Sequence, residues 1–227
     1  AILIAVFESL SLSKMQVSDW ALREGLVFDR MRRSQQGDIR SGAIKALQTR
    51  FGVDLTQASY VRQTADHLFQ RCRDDWKLSA NSYELLCWAA ELHEIGLIIS
   101  HESHQKHGAY LLDNVDLPGF STEDQHWLST LVRMHRSKLS PKLLGLLETN
   151  DHQQALYLVV LLRLSVLLHR ARNPVAINIE RLRAKGNSLD IQLSEANLED
   201  QRPLLVADLE RESELLQVVN FTLTFHS

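Results

Sequence analysis

Histidine and carboxylate stand side by side at His93-Glu94, within Leu92-His93-Glu94-Ile95-Gly96, where two polar residues sit among apolar ones ahead of a glycine. Imidazole supplies a metal ligand or a proton relay near neutral pH, and a carboxylate can hold a metal or orient a nucleophilic water. His101, Glu102, His104 and His107 follow, and His135 lies within Arg133-Met134-His135-Arg136-Ser137-Lys138. Such side chains, remote in sequence but gathered by a helical bundle, suit a divalent metal or phosphate chemistry. The plainer reading stands beside it: histidines spaced by three can form one helix face or decorate a loop. His67, within Ala65-Asp66-His67-Leu68, fits an ordinary helix position, and Arg30, Arg32 and Arg33 fit a solvated connection.

The elements that position these residues are mostly helices. Apolar residues recur at spacings of three and four in Ile44, Leu47 and Phe51, in Ala58, Val61, Ala65 and Leu68, and in Tyr83, Leu86, Cys87 and Ala90. The pattern continues through Leu128, Leu131 and Val132, then Leu158, Leu161, Leu162 and Leu168. Ser121-Thr122-Glu123-Asp124 places a hydroxyl before acidic residues, a helix start, and Pro118-Gly119 marks the loop before it. The His93-Glu94 pair is expected at a helix end stopped by Gly96. Upstream, residues 1 to 12 fit a buried helix and Met15 to Ser18 a short strand.

After Asn173-Pro174 the period changes to two: Val175, Ile177 and Ile179 alternate with polar residues, as do Leu189, Ile191 and Leu193. Gly186-Asn187 between them predicts a hairpin whose turn is not of the tight two-residue kind. Pro203 to Gln217 predicts an amphipathic helix and Val218 to Phe225 a closing strand.

The chain has 227 residues and a formal net charge of -3, with 44% hydrophobic and 23% charged residues. Neither disorder nor a global affinity for nucleic acid follows from those values, so any anion site must be a local concentration of Arg, Lys and His. Cys72 and Cys87 fit free thiols in an intracellular protein better than a disulfide framework. No apolar stretch reaches the ~18 residues of a membrane span. The opening Ala1 to Phe7 has neither a basic start nor a cleavage site, so no signal peptide is expected, and the missing initiator Met fits a chain cut from something longer.

Val17 to Gly25, Leu92 to Gly96, His107 to Asn114 and Asp116 to Phe120 occur in the order found in the exopolyphosphatase and guanosine pentaphosphate phosphohydrolase family. Thr130 to Arg136 resembles the exopolyphosphatase branch more closely. The resemblance covers nearly the whole chain and implies a mainly α fold: an HD-phosphohydrolase-like helical domain followed by a small α+β domain. The implied layout is the tail of the second actin-like catalytic domain at 1–30, the helical HD-like domain at 31–172 and the small domain at 173–227. The actin-like half, which carries the family's catalytic glutamate and phosphate loops, is absent from this chain.

Catalytic residues are therefore not expected here, nor is a metal bound by this chain; Mg2+ is expected for the parent enzyme, held mainly by the other half. His93-Glu94 resembles an HD site with Glu in place of Asp and lacking its metal-binding partners. Arg133, His135, Arg136, Lys138, His107, Arg163 and Arg170 are expected to bind inorganic polyphosphate, because Arg meets phosphate oxygens through a planar fork and polyanion binding releases counterions. Holding the polymer at several points would make cleavage from its end processive. A homodimer is expected, with no nucleic-acid partner, in the cytoplasm or at the membrane periphery. Three alternatives stay open: a guanosine pentaphosphate phosphohydrolase, a non-catalytic polyphosphate-binding module, and a metal-dependent HD phosphohydrolase.

Overall fold

The computed structural model describes Ser9 and residues 39–144, 152–172, 179–194 and 202–226. Apart from Ser9, which is helical, the features expected before residue 39 lie outside this set. By its contacts the chain divides after Ile39, and the following concerns the second unit, residues 40–227.

Helices α1 (Ile39–Arg50), α2 (Leu55–Cys72) and α3 (Ala80–Leu92) come first, followed by a 3-10 turn at Ile95–Ile98. Then come α4 (His104–Asn114), α5 (Thr122–Met134), the short α6 (Pro141–Leu144) and α7 (His152–Leu168). Side-chain caps set several starts. Asp54 accepts from the backbone N–H of Thr56 at 3.0 Å and of Gln57 at 3.1 Å, and Ser79 caps α3 through Ser82. Ser121 and Asp124 form a reciprocal capping box at the start of α5, where the sequence places it. Each such cap contributes about 1 kcal/mol by satisfying backbone donors that the first turn leaves open.

Helix α7 is the axis of the domain. Every residue from Ala155 through Ser165 is buried, and α2, α3, α5 and a later helix, α8 (Arg202–Gln217), pack around it. A helix apolar on all sides has to be enclosed in this way. Its two polar interruptions are satisfied internally: Ser165 donates to the Leu161 carbonyl at 2.7 Å, and Arg163 is tied as described below. No described helix is long and apolar enough to cross a membrane.

Strands β1 (Ile179–Lys185) and β2 (Ser188–Leu193) pair antiparallel; β3 (Thr222–His226) joins the far side of β2 in parallel after the α8 crossover. Lys185 pairs with Ser188, so Gly186-Asn187 is a tight two-residue turn, contrary to the sequence expectation. Gly186 has φ +50 at the first turn position, which a glycine adopts without steric cost and which type II′ hairpins require there. The missed signal was strand length: β1 runs on through Arg183-Ala184-Lys185, whose alternation is carried by Ala184 alone. Trp76 fastens the sheet to the helices. Its ring stacks on Tyr157 with centroids 4.2 Å apart, meets Phe221 edge-on, and its indole N–H donates to the Gly186 carbonyl at 2.9 Å. The domain is mainly helical with a small three-stranded sheet near its C-terminal end, the fold class expected.

Gly96 does not end α3, which stops at Leu92; it lies inside the 3-10 turn. A Cβ there would come within 2.0 Å of the His104 carbonyl oxygen and 2.4 Å of the Gly108 amide nitrogen. The glycine is needed so that α4 can cross directly over the turn, and that crossing brings His104 beside His93.

Candidate functional site

Two helices end in the same way. His93 is the residue at the C-terminal end of α3, and its Nδ1 lies 2.7 Å from the Ala90 carbonyl; His135 occupies the corresponding place on α5, with Nδ1 2.6 Å from the Val132 carbonyl. A carbonyl can only accept, so each ring carries its proton on Nδ1 and presents a lone pair at Nε2. Burial lowers the pKa of both rings, His135 far below the usual value, with Glu94 partly opposing the effect at His93. Both are neutral imidazoles. Their rings meet edge-on with centroids 5.6 Å apart, and His104 lies 5.3 Å from His135. His104 Nδ1 lies between the Arg136 guanidinium at 2.9 Å and the His101 carbonyl at 3.3 Å.

These residues line a cleft of about 270 Å³, closed by the end of α7, the residues after it, and one face of α8. Arg172 crosses its mouth with φ 52, an uncommon backbone for a non-glycine residue. Its fork donates to Glu94 at 2.6 Å and to Asp54, the cap of α2, at 2.8 Å. Arg170 pairs with Asp208 at 2.6 Å. Arg163, buried, donates to both oxygens of Glu212, one at 2.9 Å, and to the carbonyls of Met134 at 2.7 Å and Ser137 at 3.0 Å.

The lining thus has five arginines (Arg136, Arg163, Arg170, Arg172 and Arg211) against three carboxylates, Glu94, Asp208 and Glu212. Three of the arginines are matched. Arg136 contacts a neutral histidine, and Arg211 has no ion pair among the described residues. Partial burial and the nearby Arg170 charge both lower the pKa of Arg136. Meanwhile three buried acceptors on cleft-lining residues, His93 Nε2, His135 Nε2 and Glu94 Oε2, have no hydrogen-bond partner.

Of the residues expected to bind polyphosphate, His135, Arg136, Arg163 and Arg170 line this cleft, whereas Arg133, Lys138 and His107 do not. Arg133 and His107 are half-buried on α5 and α4, Lys138 is exposed, and His67 is exposed on α2. Sequence reasoning did not single out Arg172, Asp208, Arg211 or Glu212. The α8 residues follow helical spacing, Asp208, Arg211, Glu212, but nothing local says which face meets α7. Among the described residues no three His, Cys, Asp or Glu side chains are grouped as ligands of one ion. The cleft does not fit Mg2+ in particular, which requires oxygen ligands, since its acceptors are two imidazoles and a carboxylate already held by Arg172.

The family model described as Ppx/GppA phosphatase, domain III, matches residues 39–213. The chain belongs to the Ppx/GppA phosphatase family. It is 37% identical over 216 residues to the guanosine-5'-triphosphate,3'-diphosphate pyrophosphatase of Vibrio atlanticus (strain LGP32), an alignment covering 94% of this chain and 42% of that protein. The protein of the same name from Pseudoalteromonas translucida (strain TAC 125) is 35% identical over 214 residues, 94% of this chain and 43% of the relative. The chain therefore spans less than half the length of these curated relatives. The family resemblance seen in the sequence holds, but the names these relatives carry are those of the guanosine branch rather than the exopolyphosphatase branch. Within this Ppx/GppA domain III, the helix-end histidines and the arginines line one polar cleft.

Proposed function

We propose that this chain is the phosphate-binding C-terminal portion of a hydrolase that cleaves a phosphoanhydride of guanosine 5'-triphosphate,3'-diphosphate, the chemistry itself residing in the remainder of the protein. The observation that carries the binding role is the excess of arginine over carboxylate lining one cleft, with Arg136 and Arg211 left without counter-charges. Arginine forks grip phosphoryl oxygens bidentately. The choice of a guanosine substrate is supported by the names of relatives similar over 94% of the chain. Mg2+ belongs in this reading to the remainder of the protein, and a homodimer remains part of it.

Inorganic polyphosphate is the second reading. It is favoured by the exposure of Arg136 and Lys138 on one short stretch after α5, where a polyanion could continue beyond the cleft. Phosphate release by the whole protein from guanosine 5'-triphosphate,3'-diphosphate and from long-chain polyphosphate distinguishes the two. The guanosine nucleotide is expected to give the higher kcat/KM, and Arg136→Ala with Arg211→Ala to raise its KM. A higher kcat/KM on polyphosphate would reverse the substrate assignment, and unchanged KM in the double variant would remove the cleft from substrate binding.

A further inference from the structure

The cleft contains an apparent contradiction. Its arginines attract an anion, yet buried beneath them are three unpartnered groups that can only accept hydrogen bonds: His93 Nε2, His135 Nε2 and Glu94 Oε2. A fully deprotonated oxyanion would place its own lone pairs against theirs, leaving the buried acceptors unsatisfied. An internal phosphoryl group of a polyphosphate or nucleotide is such an anion, with no hydroxyl to offer. Orthophosphate differs, because near neutrality HPO4 2− still carries a proton, as the end of a phosphate ester or anhydride does below its second pKa of about 6.

We propose that this cleft binds a monoprotonated phosphoryl group, its P–O–H donating to Nε2 of His135 or His93 while its charged oxygens accept from Arg136 and Arg211. The charge also fits. With Asp54, which Arg172 also holds, five arginines face four carboxylates, so the cleft keeps a net positive charge towards an anion. The tautomers are already set for it: the Ala90 and Val132 carbonyls hold each Nδ1 proton, so both buried Nε2 atoms carry an unpartnered lone pair without any proton moving. Burial keeps the rings neutral, so they accept a hydrogen bond instead of adding charge. Arg163 takes no part, since four of its five N–H groups are held by Glu212 and two carbonyls. The same chemistry comes from two sources, free orthophosphate or the protonated end of a phosphate ester or anhydride. The proposal deepens the phosphate-binding reading above and rests on it only in treating the cleft as an anion site.

Sulfate provides the test, because it has the size and charge of HPO4 2− but no proton near neutrality. Calorimetric titration of the chain with inorganic phosphate and with sulfate is expected to show phosphate binding about tenfold more tightly, the effect of one buried hydrogen bond made rather than left unmade. Equal affinities would overturn the proton-reading proposal while leaving the anion cleft standing. Failure of both anions to bind would remove both. Arg136→Met should weaken phosphate and sulfate together and keep their ratio. His135→Phe and His93→Phe each keep a ring of similar shape but no acceptor, and at least one should bring the ratio towards one. A ratio unchanged in both folded histidine variants would also overturn the proposal; should either variant fail to fold, the wild-type ratio still decides. Methyl phosphate separates the sources at a pH where it retains its proton. Binding comparable to orthophosphate assigns the site to a phosphoryl terminus, and much weaker binding assigns it to the free ion; either supports the protonated-phosphoryl site.

Discussion

Two buried polar clusters lie next to each other in this domain and are built on opposite terms. Around Arg163 every acceptor is met: both carboxylate oxygens of Glu212 and two backbone carbonyls take four of its five N–H groups. Around His93, Glu94 and His135, three acceptors are left over. Buried polar groups in folded proteins are almost always paired, so a saturated cluster marks structure and a deficit marks a place where something else completes the set. The residue type alone would not have separated them, since both clusters are charged, buried and line the same cleft.

Breaking the saturated cluster should have the largest effect. Arg163→Met strands the Glu212 carboxylate in the core and is expected to cost about 3–5 kcal/mol, read from denaturant unfolding. His135→Phe, in the deficient cluster, removes a single Nδ1 hydrogen bond and should cost only about 1 kcal/mol. Comparable losses would erase the distinction. Gly96→Ala comes next. Its methyl group would collide with backbone of α4 that cannot swing aside, and about 3 kcal/mol should be lost, together with the approach of His104 to the histidine pair.

Acid should sharpen the contrast. His93, His104, His135 and His169 all have pKa values lowered below 6.5, burial being the main cause in each. As the pH falls through 6.5 the unfolded chain takes up protons that the folded chain refuses, so stability is full above that value and declines below it. His135→Phe should flatten the decline, whereas an Arg163 variant should leave its slope alone; unfolding midpoints across that range supply the measurement. The smallest effect is expected from Arg172→Ala. Its ion pairs are half exposed and its backbone is strained, so less than about 1 kcal/mol of stability should be lost.

The helices were legible because burial on one face imposes a period, and Ser121 and Asp124 announced a start that the structure keeps. The closing helix and strand were also legible, to within a few residues, at Arg202–Gln217 and Thr222–His226. What the sequence could not show was which distant charges meet. Arg163 looks like a substrate-binding cation until Glu212 is found against it, and Gly96 looks like a helix stop until α4 is found lying on it. Arg172 carried a faint signal, a basic residue where an apolar helix breaks before Asn173-Pro174, but its partners Asp54 and Glu94 come from far earlier in the chain. The His93 and His135 tautomers depend on helix-end carbonyls, which no residue pattern records.

The α8 crossover binds the two textures of the chain together. It leaves the sheet after β2, places Asp208, Arg211 and Glu212 against the cleft, and returns to the sheet as β3. A lineage could not exchange the sheet-bearing segment for an unrelated one without also discarding the counter-ion of the domain's central helix. Helical bundle and sheet are in that sense one piece, since losing either Arg163 or Glu212 alone leaves the other charge buried without its partner.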